Sequence, residues 1–379
     1  MLETSAVSDD AIEEMVASVR RRFSMKPKVA IAGFGNSGKS SLFNAIYGAS
    51  VAKVSMKTDE TVVTSTRERF GIDFTDTPGI GTGKFSLEKV LEMCVLDAQH
   101  VVIHTLNGAS AIAADDEALH EAIQRSQARR VTVVNKVDLL DEQEQGEFGQ
   151  SMLTRLGLGP HGFLFVSAKR GTNVPELVQH IADILPDAMQ DAFIAQQQAD
   201  LQLKEKRVRA LVYSKATVSA AVALLPIPVA DIFLITPMQI AMVTAIGYFY
   251  GVDVNKERVF ELFATLGAGF GFREAARQLV KLVPGYGTVI SAAIAFAGTV
   301  ALGETAHVWF KNKMKLDAEE LKEIFRRTAI RAKDEYQTRA ARAERIRPAI
   351  EELHRRLERG ELSRAEFEQA VADLADSDA

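Results

Sequence analysis

The sequence predicts an α/β domain with an open, doubly wound sheet, followed by an all-α domain. In the first half of the 379-residue chain, short apolar runs rich in β-branched residues lead into polar or glycine-rich segments, and helical patterns follow them. In the second half these runs stop, and long segments with helical spacing replace them. A chain of this length also exceeds what one hydrophobic core usually supports.

Composition limits the classes of function. The net charge is −5, from 45 basic and 50 acidic residues, which argues against a broad nucleic-acid-binding surface, so we do not expect nucleic acid as a partner. The single cysteine, Cys94, excludes an internal disulfide and a cysteine-based zinc cluster. We expect it to be a small core residue in a reducing compartment.

The predicted domain boundaries follow shifts in composition. We expect an N-terminal helix packed on the α/β domain, then that domain, a solvated connector helix, an apolar helical domain and charged C-terminal helices. The corresponding ranges are 1–26, 27–186, 187–208, 209–315 and 316–379.

A phosphate-binding loop follows the first predicted strand. Residues 28–32 (KVAIA) form a short, largely apolar run, and residues 33–40 fit the pattern G-x4-G-K-S before a helical segment. Glycines let backbone N–H groups close around phosphate, and the helix N-terminus adds positive potential. Lys39 should contact the β- and γ-phosphates, and Ser40 should bind Mg²⁺. The candidate residues of this loop are Gly33, Asn36, Ser37, Gly38, Lys39, Ser40 and Ser41.

The second motif, residues 74–79, begins within a predicted strand that ends at Asp76. Ligands bind at the carboxyl edge of an open α/β sheet. We therefore expect Asp76 to hold Mg²⁺ through a water molecule and the Gly79 N–H to face the γ-phosphate.

The third and fourth motifs indicate guanine recognition. A carboxylate at Asp138 can accept hydrogen bonds from both N1–H and the 2-amino group of guanine, which selects GTP over ATP, and Asn135 and Lys136 should brace that loop. In the fourth motif, residues 165–169, the backbone of Ala168 should face the guanine oxygen. Its flanking candidates are Ser167 and Lys169.

Taken in order, GFGNSGKS, DTPG, NKVD and VSAK resemble the Era/EngA/MnmE branch of translation-factor-class GTPases over residues 27–186. The resemblance implies a Ras-like P-loop G domain that binds GTP or GDP with Mg²⁺ and hydrolyses GTP. It also implies a switch I threonine that binds Mg²⁺. Thr61 matches the family position, and Thr58 and Thr64 are alternatives.

Catalysis needs a further group, because Ile80 stands where Ras has the glutamine that orients water. In the MnmE-like group, an asparagine at the position of Asn36 is associated with a bound K⁺ and with paired G domains. We hypothesise K⁺-stimulated hydrolysis in a homodimer, with Lys39, Asn36 and Thr61 as catalytic candidates. Alternatively, Asn36 only shapes the loop through a local side-chain bond. The segment 79–96 is expected to form a glycine-rich switch II and its helix.

Two nearly uncharged segments, 216–251 and 284–303, dominate the second half. The second has the length of about 20 residues that a membrane span needs. However, Pro226 and Pro228 interrupt the first segment, and Asp231 within it would be costly in lipid. The segments resemble an uncharacterised helical domain that often follows Era-like G domains and is frequently predicted to hold transmembrane helices. We favour membrane association over a soluble core and interpret Asp231 as a helix cap.

The C-terminal part is charged. Residues 318–345 predict a long solvated helix, and residues 357–367 resemble a SHOCT-type helical hairpin, in which Ser363 and Glu366 should form a capping box. The leading hypothesis is a GTPase at the cytoplasmic face of a bacterial membrane, whose nucleotide state controls a membrane-associated helical domain. The alternatives are an Era-like RNA or ribosome factor and a membrane remodeller like dynamin or the immunity-related GTPases.

Overall fold

The structure is a computed structural model that describes residues 9–48, 73–76, 96–225, 235–266 and 287–376. Contacts divide the chain into two compact units. We call Arg22–Lys204 the sheet unit, and Met1–Arg21 together with Glu205–Ala379 the helical unit. The predicted ranges of the five sequence segments stay predictions.

Strands and helices alternate in the sheet unit, which begins at the end of the first helix. That first helix is α1 (Asp9–Phe23), most of which belongs to the helical unit. The elements that follow it in the sheet unit are β1 (Lys28–Ala32), α2 (Lys39–Tyr47), β2 (Asp73–Asp76), β3 (Val101–Asn107), α3 (Ala114–Arg125), β4 (Arg129–Asn135), α4 (Glu142–Leu156), β5 (Leu164–Val166), α5 (Val174–Ile184) and α6 (Asp187–Gln196).

The described strands form a five-stranded sheet in the order β2-β1-β3-β4-β5, and every pair is parallel. The order reverses at β1, which lies between β2 and β3, so the sheet is doubly wound and the predicted fold class is confirmed. All the carboxyl ends therefore point to one edge, and this edge collects the loops that carry the sequence motifs.

Apolar side chains cover both faces of this sheet. On one face, Val102 of β3 lies in a cluster with Leu119 and Ile123 of α3. Further along the same face, Val134 of β4 clusters with Met152 of α4. Each fully buried aliphatic side chain contributes roughly 1.5–3 kcal/mol. The strands are Val- and Ile-rich because a parallel sheet is buried on both faces.

The helical unit continues with α7 (Leu201–Ala223), α8 (Thr236–Phe249), α9 (Lys256–Thr265), α10 (Gly287–Lys311), α11 (Ala318–Glu358) and α12 (Arg364–Asp376). Helix α10 packs against α8 and α11. Among the residues that the structure describes, no helix combines the length and the apolar character needed to cross a membrane.

The interior of the helical unit combines close backbone approach with hydrogen-bonded polar side chains. The Gln239 amide donates to Thr299 Oγ1 at 3.0 Å, and the Thr299 hydroxyl donates to Ser219 Oγ at 3.2 Å, which links α8, α10 and α7. All three side chains are buried. A Cβ atom at Gly303 would lie 2.5 Å from Cγ2 of Val212, so α10 and α7 approach closely there.

The position predicted for the N-terminal helix is wrong. Residues of α1 up to Arg21 belong to the helical unit and not to the α/β domain. Arg20 donates to the Tyr248 hydroxyl at 2.9 Å and to Asp253 at 2.8 Å, and Glu13 pairs with Lys256. Ile12 and Val16 are buried on the apolar face of α1, but the local sequence carries no information about what covers that face.

The prediction of a solvated connector helix is also wrong. Helices α6 and α7 are separate, and Phe193 of α6 is fully buried. Asp191 is buried beside Phe193 and forms an ion pair with Arg22. Helix α11 likewise buries one face, including Phe325 and Tyr336, so it is not solvated on all sides.

Other predictions hold or fall outside the described residues. The Ser363 capping box is confirmed, because Ser363 N–H donates to Glu366 Oε2 and Glu366 N–H donates to Ser363 Oγ. The SHOCT resemblance stays a prediction. Several predictions lie outside the described residues: Cys94, Pro226, Pro228, Asp231 and the switch segments 49–72 and 77–95.

Candidate functional site

The loop of residues 33–38 leaves the carboxyl end of β1 and enters α2 at Lys39. Gly38 is the N-cap of α2 and has a left-handed backbone, with φ of 86°. The first N–H groups of α2 have no partners in the preceding turn of helix, and they carry the positive end of the helix dipole. This end of α2 is therefore suited to an anion such as a phosphate.

The Lys39 side chain crosses this loop. Its ammonium donates to the carbonyls of Gly33 and Phe34, each at 3.0 Å. The side chain is only 7 % exposed, so the loop holds a cation where the backbone N–H groups converge. A phosphate there would gain charge-assisted hydrogen bonds in addition to those from the backbone.

Two glycines in the loop are required by close contacts. A Cβ atom at Gly33 would lie 2.2 Å from the carbonyl oxygen of Thr105 in β3. A Cβ atom at Gly38 would lie 2.3 Å from Nδ2 of Asn135. The sequence did not single out Thr105, since a contact through a backbone carbonyl leaves no trace in residue type.

Asn135, the last residue of β4, joins three loops. Its amide donates to the carbonyl of Ser37 at 2.9 Å, and its Oδ1 accepts from the Ala168 N–H at 3.0 Å. Asn135 is 1 % exposed. The third and fourth motifs are therefore hydrogen-bonded to the phosphate loop through one side chain, as the predicted bracing role requires.

Asp138 is held in its ionised form. The Ser167 hydroxyl donates to Asp138 Oδ1 at 2.6 Å, and Arg170 Nε lies 3.8 Å from Oδ2. The hydrogen bond from Ser167, followed by smaller effects that include the charges of Arg170 and Lys169, lowers the pKa of the Asp138 carboxyl. An ionised carboxylate only accepts hydrogen bonds, which matches two adjacent donors on a ligand. The sequence motifs did not single out Arg170.

Asn36 has φ of 64°, in the left-handed region, and its side chain is exposed. Asparagine tolerates this conformation better than most residues. Within the described part of the chain its side chain makes no hydrogen bond, so the local bond that was the alternative explanation is not seen there. Its amide oxygen is available to a ligand.

The structure describes only some of the remaining predicted site residues. Asp76 ends β2 and is in register with Ile31 of β1, so it lies at the same sheet edge as the phosphate loop. Ser40 and Ser41 lie in the first turn of α2, Lys136 has φ of 68°, and Lys169 is exposed. Gly79, Ile80, Thr58, Thr61 and Thr64 lie outside the described residues.

Comparison with known families decides the identity of the sheet unit. Residues 28–136 match the family model described as "50S ribosome-binding GTPase". These residues form a P-loop GTPase domain. Residues 190–334 match a second model, described as "Domain of unknown function (DUF697)", so the GTPase domain is followed by a helical domain of that type.

The GTPase domain has Era and Der homologues. It is 31% identical over 170 residues to GTPase Era of Carboxydothermus hydrogenoformans, covering 42% of this chain and 55% of that relative. It is 36% identical over 174 residues to GTPase Der of Moorella thermoacetica, covering 42% of this chain and 37% of that relative. The chain thus spans about half or less of the length of these curated relatives.

A solved chain from an oligomerised bacterial dynamin pair resembles this chain along its whole length. It shares 11% identity, with a TM-score of 0.35, over 100% of this chain and 81% of that chain. A likeness with a TM-score of 0.35 does not indicate a function.

Proposed function

We propose that this chain binds GTP with Mg²⁺, hydrolyses it slowly, and uses its nucleotide state to control membrane association of the helical unit. GTP binding is supported by the hydrogen bonds of Asn135, which connect two of the loops. Its side chain holds Ser37 of the phosphate loop and Ala168 of the guanine loop, next to an ionised Asp138. A phosphate-binding loop and a guanine-selecting carboxylate in one rigid frame suit a guanine nucleotide.

The donor set fits Mg²⁺. Ser40 supplies a hydroxyl in the first turn of α2, and Asp76 supplies a carboxylate at the end of the neighbouring strand. Oxygen ligands of this type are those that Mg²⁺ prefers, together with phosphate oxygens. When bound, Mg²⁺ would neutralise charge on the β- and γ-phosphates.

Nucleotide selection is tested by Asp138→Asn. The amide cannot accept from both guanine donors, so we expect the affinity for GTP to fall by about 100-fold or more, a loss of about 2.7 kcal/mol. Glu142→Gln, an exposed change in the first turn of α4, is the matched control. Titration with a fluorescent GTP analogue measures both. An unchanged affinity in Asp138→Asn would remove the guanine assignment.

Hydrolysis is proposed to depend on K⁺ held at Asn36 and on pairing of two G domains. The exposed Asn36 amide, free of local hydrogen bonds within the described residues, supports this. We expect turnover to be at least about tenfold faster in K⁺ than in Na⁺ and to rise with protein concentration.

Asn36→Gly keeps the left-handed backbone but removes the amide, so it should abolish the K⁺ effect. Lys313→Gly is the control, because Lys313 also has a positive φ, of 54°, but lies between α10 and α11. Equal turnover of the wild type in the two salts would contradict the K⁺ proposal and leave GTP hydrolysis itself untouched.

Membrane association is proposed for the helical unit, at the cytoplasmic face of a bacterial membrane. Helix α8 carries no charged residue, and α10 carries none before Glu304. Hydrogen bonds between Gln239, Thr299 and Ser219, and close approach at Gly303, are contacts that also hold helices together in lipid. These features support association with a bilayer.

A vesicle experiment tests this part and a second candidate function. We expect the full chain to sediment with anionic lipid vesicles more strongly with a GTP analogue than with GDP. The second candidate, ribosome binding, is favoured by the Era relatives and by the family description of residues 28–136. Sedimentation with ribosomes but not with vesicles would replace membrane association with that candidate.

A further inference from the structure

Two adjoining cavities lie in the sheet unit away from the nucleotide loops. They have volumes of about 630 Å³ and about 310 Å³. Both are lined by Arg130 and Thr132, near the start of β4, whereas Asn135 of the nucleotide site is the last residue of that strand. The cavities therefore open at the amino edge of the sheet, opposite to the carboxyl edge. Their combined size is that of a small-ligand site.

The residues shared by the two cavities carry hydrogen-bond donors and no carboxylate. They are Arg130, Thr132, His161, Gly162 and His180. Each of the acidic residues lines only one cavity: Asp183 the larger and Glu176 the smaller. The junction of the cavities thus combines a guanidinium, a hydroxyl and two imidazoles, which is a donor set for a compact oxyanion.

The donors at this junction have no internal partner. Thr132 is 3 % exposed, and within the described part of the chain its hydroxyl makes no hydrogen bond. Arg130 forms no ion pair or hydrogen bond with another described residue, and its charge instead helps to lower the pKa of the nearby His120. Because Thr132 lines both cavities, its hydroxyl can donate to an occupant.

Unlike Arg130, the neighbouring Arg129 has a partner among the described residues. Both Arg129 and that partner line the larger cavity. The Arg129 guanidinium donates to the carbonyl of Ile184 at the end of α5. This bond holds the start of β4 against the helix that supplies His180. The loop that supplies His161 is also closed, because Gly162 N–H donates to the carbonyl of Gly159 at 2.8 Å. The site is therefore formed by the fold itself.

We propose that this junction binds the phosphate group, or a similar compact oxyanion, of a small molecule. The oxyanion accepts from Arg130, Thr132 and the two imidazoles. Asp183 and Glu176, which each line one of the two cavities, can accept from donor groups elsewhere on the same ligand. The concave shape and the cavity volumes suit a small molecule better than a polymer backbone.

The test uses the full chain saturated with Mg²⁺ and a non-hydrolysable GTP analogue, so that the phosphate loop is filled. Inorganic phosphate is then titrated by calorimetry. We expect saturable binding at one further site per chain. Arg130→Gln should weaken it by about tenfold or more, and Thr132→Val by about threefold to tenfold.

Arg125→Gln is the matched control, because Arg125 is an exposed arginine of the same unit that lies outside the cavity lining and pairs with Glu121 on α3. Phosphate affinity should not change in this variant, and analogue affinity should not change in any variant. If Arg130→Gln does not fold, His161→Gln takes its place, since His161 is exposed in a loop. A short RNA and vesicles with phosphorylated headgroups form separate arms.

Loss of phosphate binding in Arg130→Gln or its replacement, but not in Arg125→Gln, supports the site. Absence of saturable binding, or binding unaffected by these substitutions, overturns it. Binding of the RNA or the vesicles without binding of free phosphate also overturns it, because the proposed ligand is a small molecule.

Discussion

The nucleotide loops of the sheet unit and the helix contacts of the helical unit use buried polar side chains in different ways. In the sheet unit, buried Asn135 and Ser167 lie where strands end, and their hydrogen bonds run between loops. In the helical unit, buried Ser219 and Thr299 lie within helices, and their hydrogen bonds run from helix to helix. Polar groups at strand ends can meet a ligand, whereas those within packed helices specify which helix faces meet.

The strongest test of this contrast is Gly33→Ala in the phosphate loop. The new Cβ would lie 2.2 Å from a backbone carbonyl of β3, so the loop must move away from the strand. We expect nucleotide affinity to fall by about 100-fold and the free energy of unfolding of the sheet unit to fall by about 1–3 kcal/mol. Nucleotide titration and hydrogen exchange of β1 and β3 measure the two effects.

Gly146→Ala is the control for that substitution. Gly146 lies in α4 with no heavy atom within 4 Å of its added Cβ, so alanine should stabilise the helix by about 0.5–1 kcal/mol. Equal nucleotide affinity in wild type and Gly33→Ala would show that the loop tolerates displacement and would remove the argument from close approach.

The sequence located this site well because each motif combines a strand with polar residues at its end. The doubly wound sheet and the positions of Asp76 and Asn135 at strand ends follow from that pattern. It failed for α1 and α6, whose surroundings depend on distant parts of the chain. Nothing local to Phe193 reveals that it is buried, and nothing local to Arg20 indicates its bond to Tyr248.

A loss of stability of the sheet unit is also expected in acid. His104 of β3 is fully buried, with its Nδ1 3.4 Å from Nδ1 of His120 on α3. Burial, and then the nearby His120, lower the pKa of His104 to about 3. Below the unfolded pKa of about 6.5 the unfolded chain binds more protons, so stability falls as pH decreases from about 6.5 towards 3.

The expected slope is about 1.4 kcal/mol per pH unit for this one histidine. Hydrogen exchange of β3 and β4 amides at several pH values measures it. In His104→Gln the slope should be smaller by that amount, whereas His161→Gln, which removes an exposed imidazole, should match the wild type. An identical acid dependence in wild type and His104→Gln would contradict the assignment.

The corresponding test in the helical unit is Gly303→Ala. Its Cβ would lie 2.5 Å from Val212, which forces α10 and α7 apart. Alanine gains about 1 kcal/mol in helix propensity, so the net loss should be about 1–2 kcal/mol. The single tryptophan, Trp309 of α10, is buried and reports this unit alone during urea unfolding.

Adding Val212→Ala to Gly303→Ala makes room for the new methyl group and should recover part of the loss, which a change acting elsewhere would not do. Nucleotide affinity is expected to stay within about twofold of the wild type in both variants, since neither residue lies in the sheet unit. A change in nucleotide affinity without loss of stability would show that this helix contact acts on the site and not on packing.

The smallest expected effect concerns the end of the helical unit, where a polar group serves a helix end and not a helix–helix contact. Ser363 Oγ accepts from the Glu366 N–H at the start of α12, so Ser363→Ala should cost about 1 kcal/mol. Glu366→Gln retains an acceptor for the Ser363 N–H and should cost less. Hydrogen exchange should show faster opening of α12 in Ser363→Ala, while Trp309 fluorescence during urea unfolding stays unchanged. A shift of the Trp309 transition would mean that α12 unfolds together with the core of the unit. In that case the packing of the whole helical unit would depend on the Ser363 cap, as it depends on the hydrogen bond between Ser219 and Thr299.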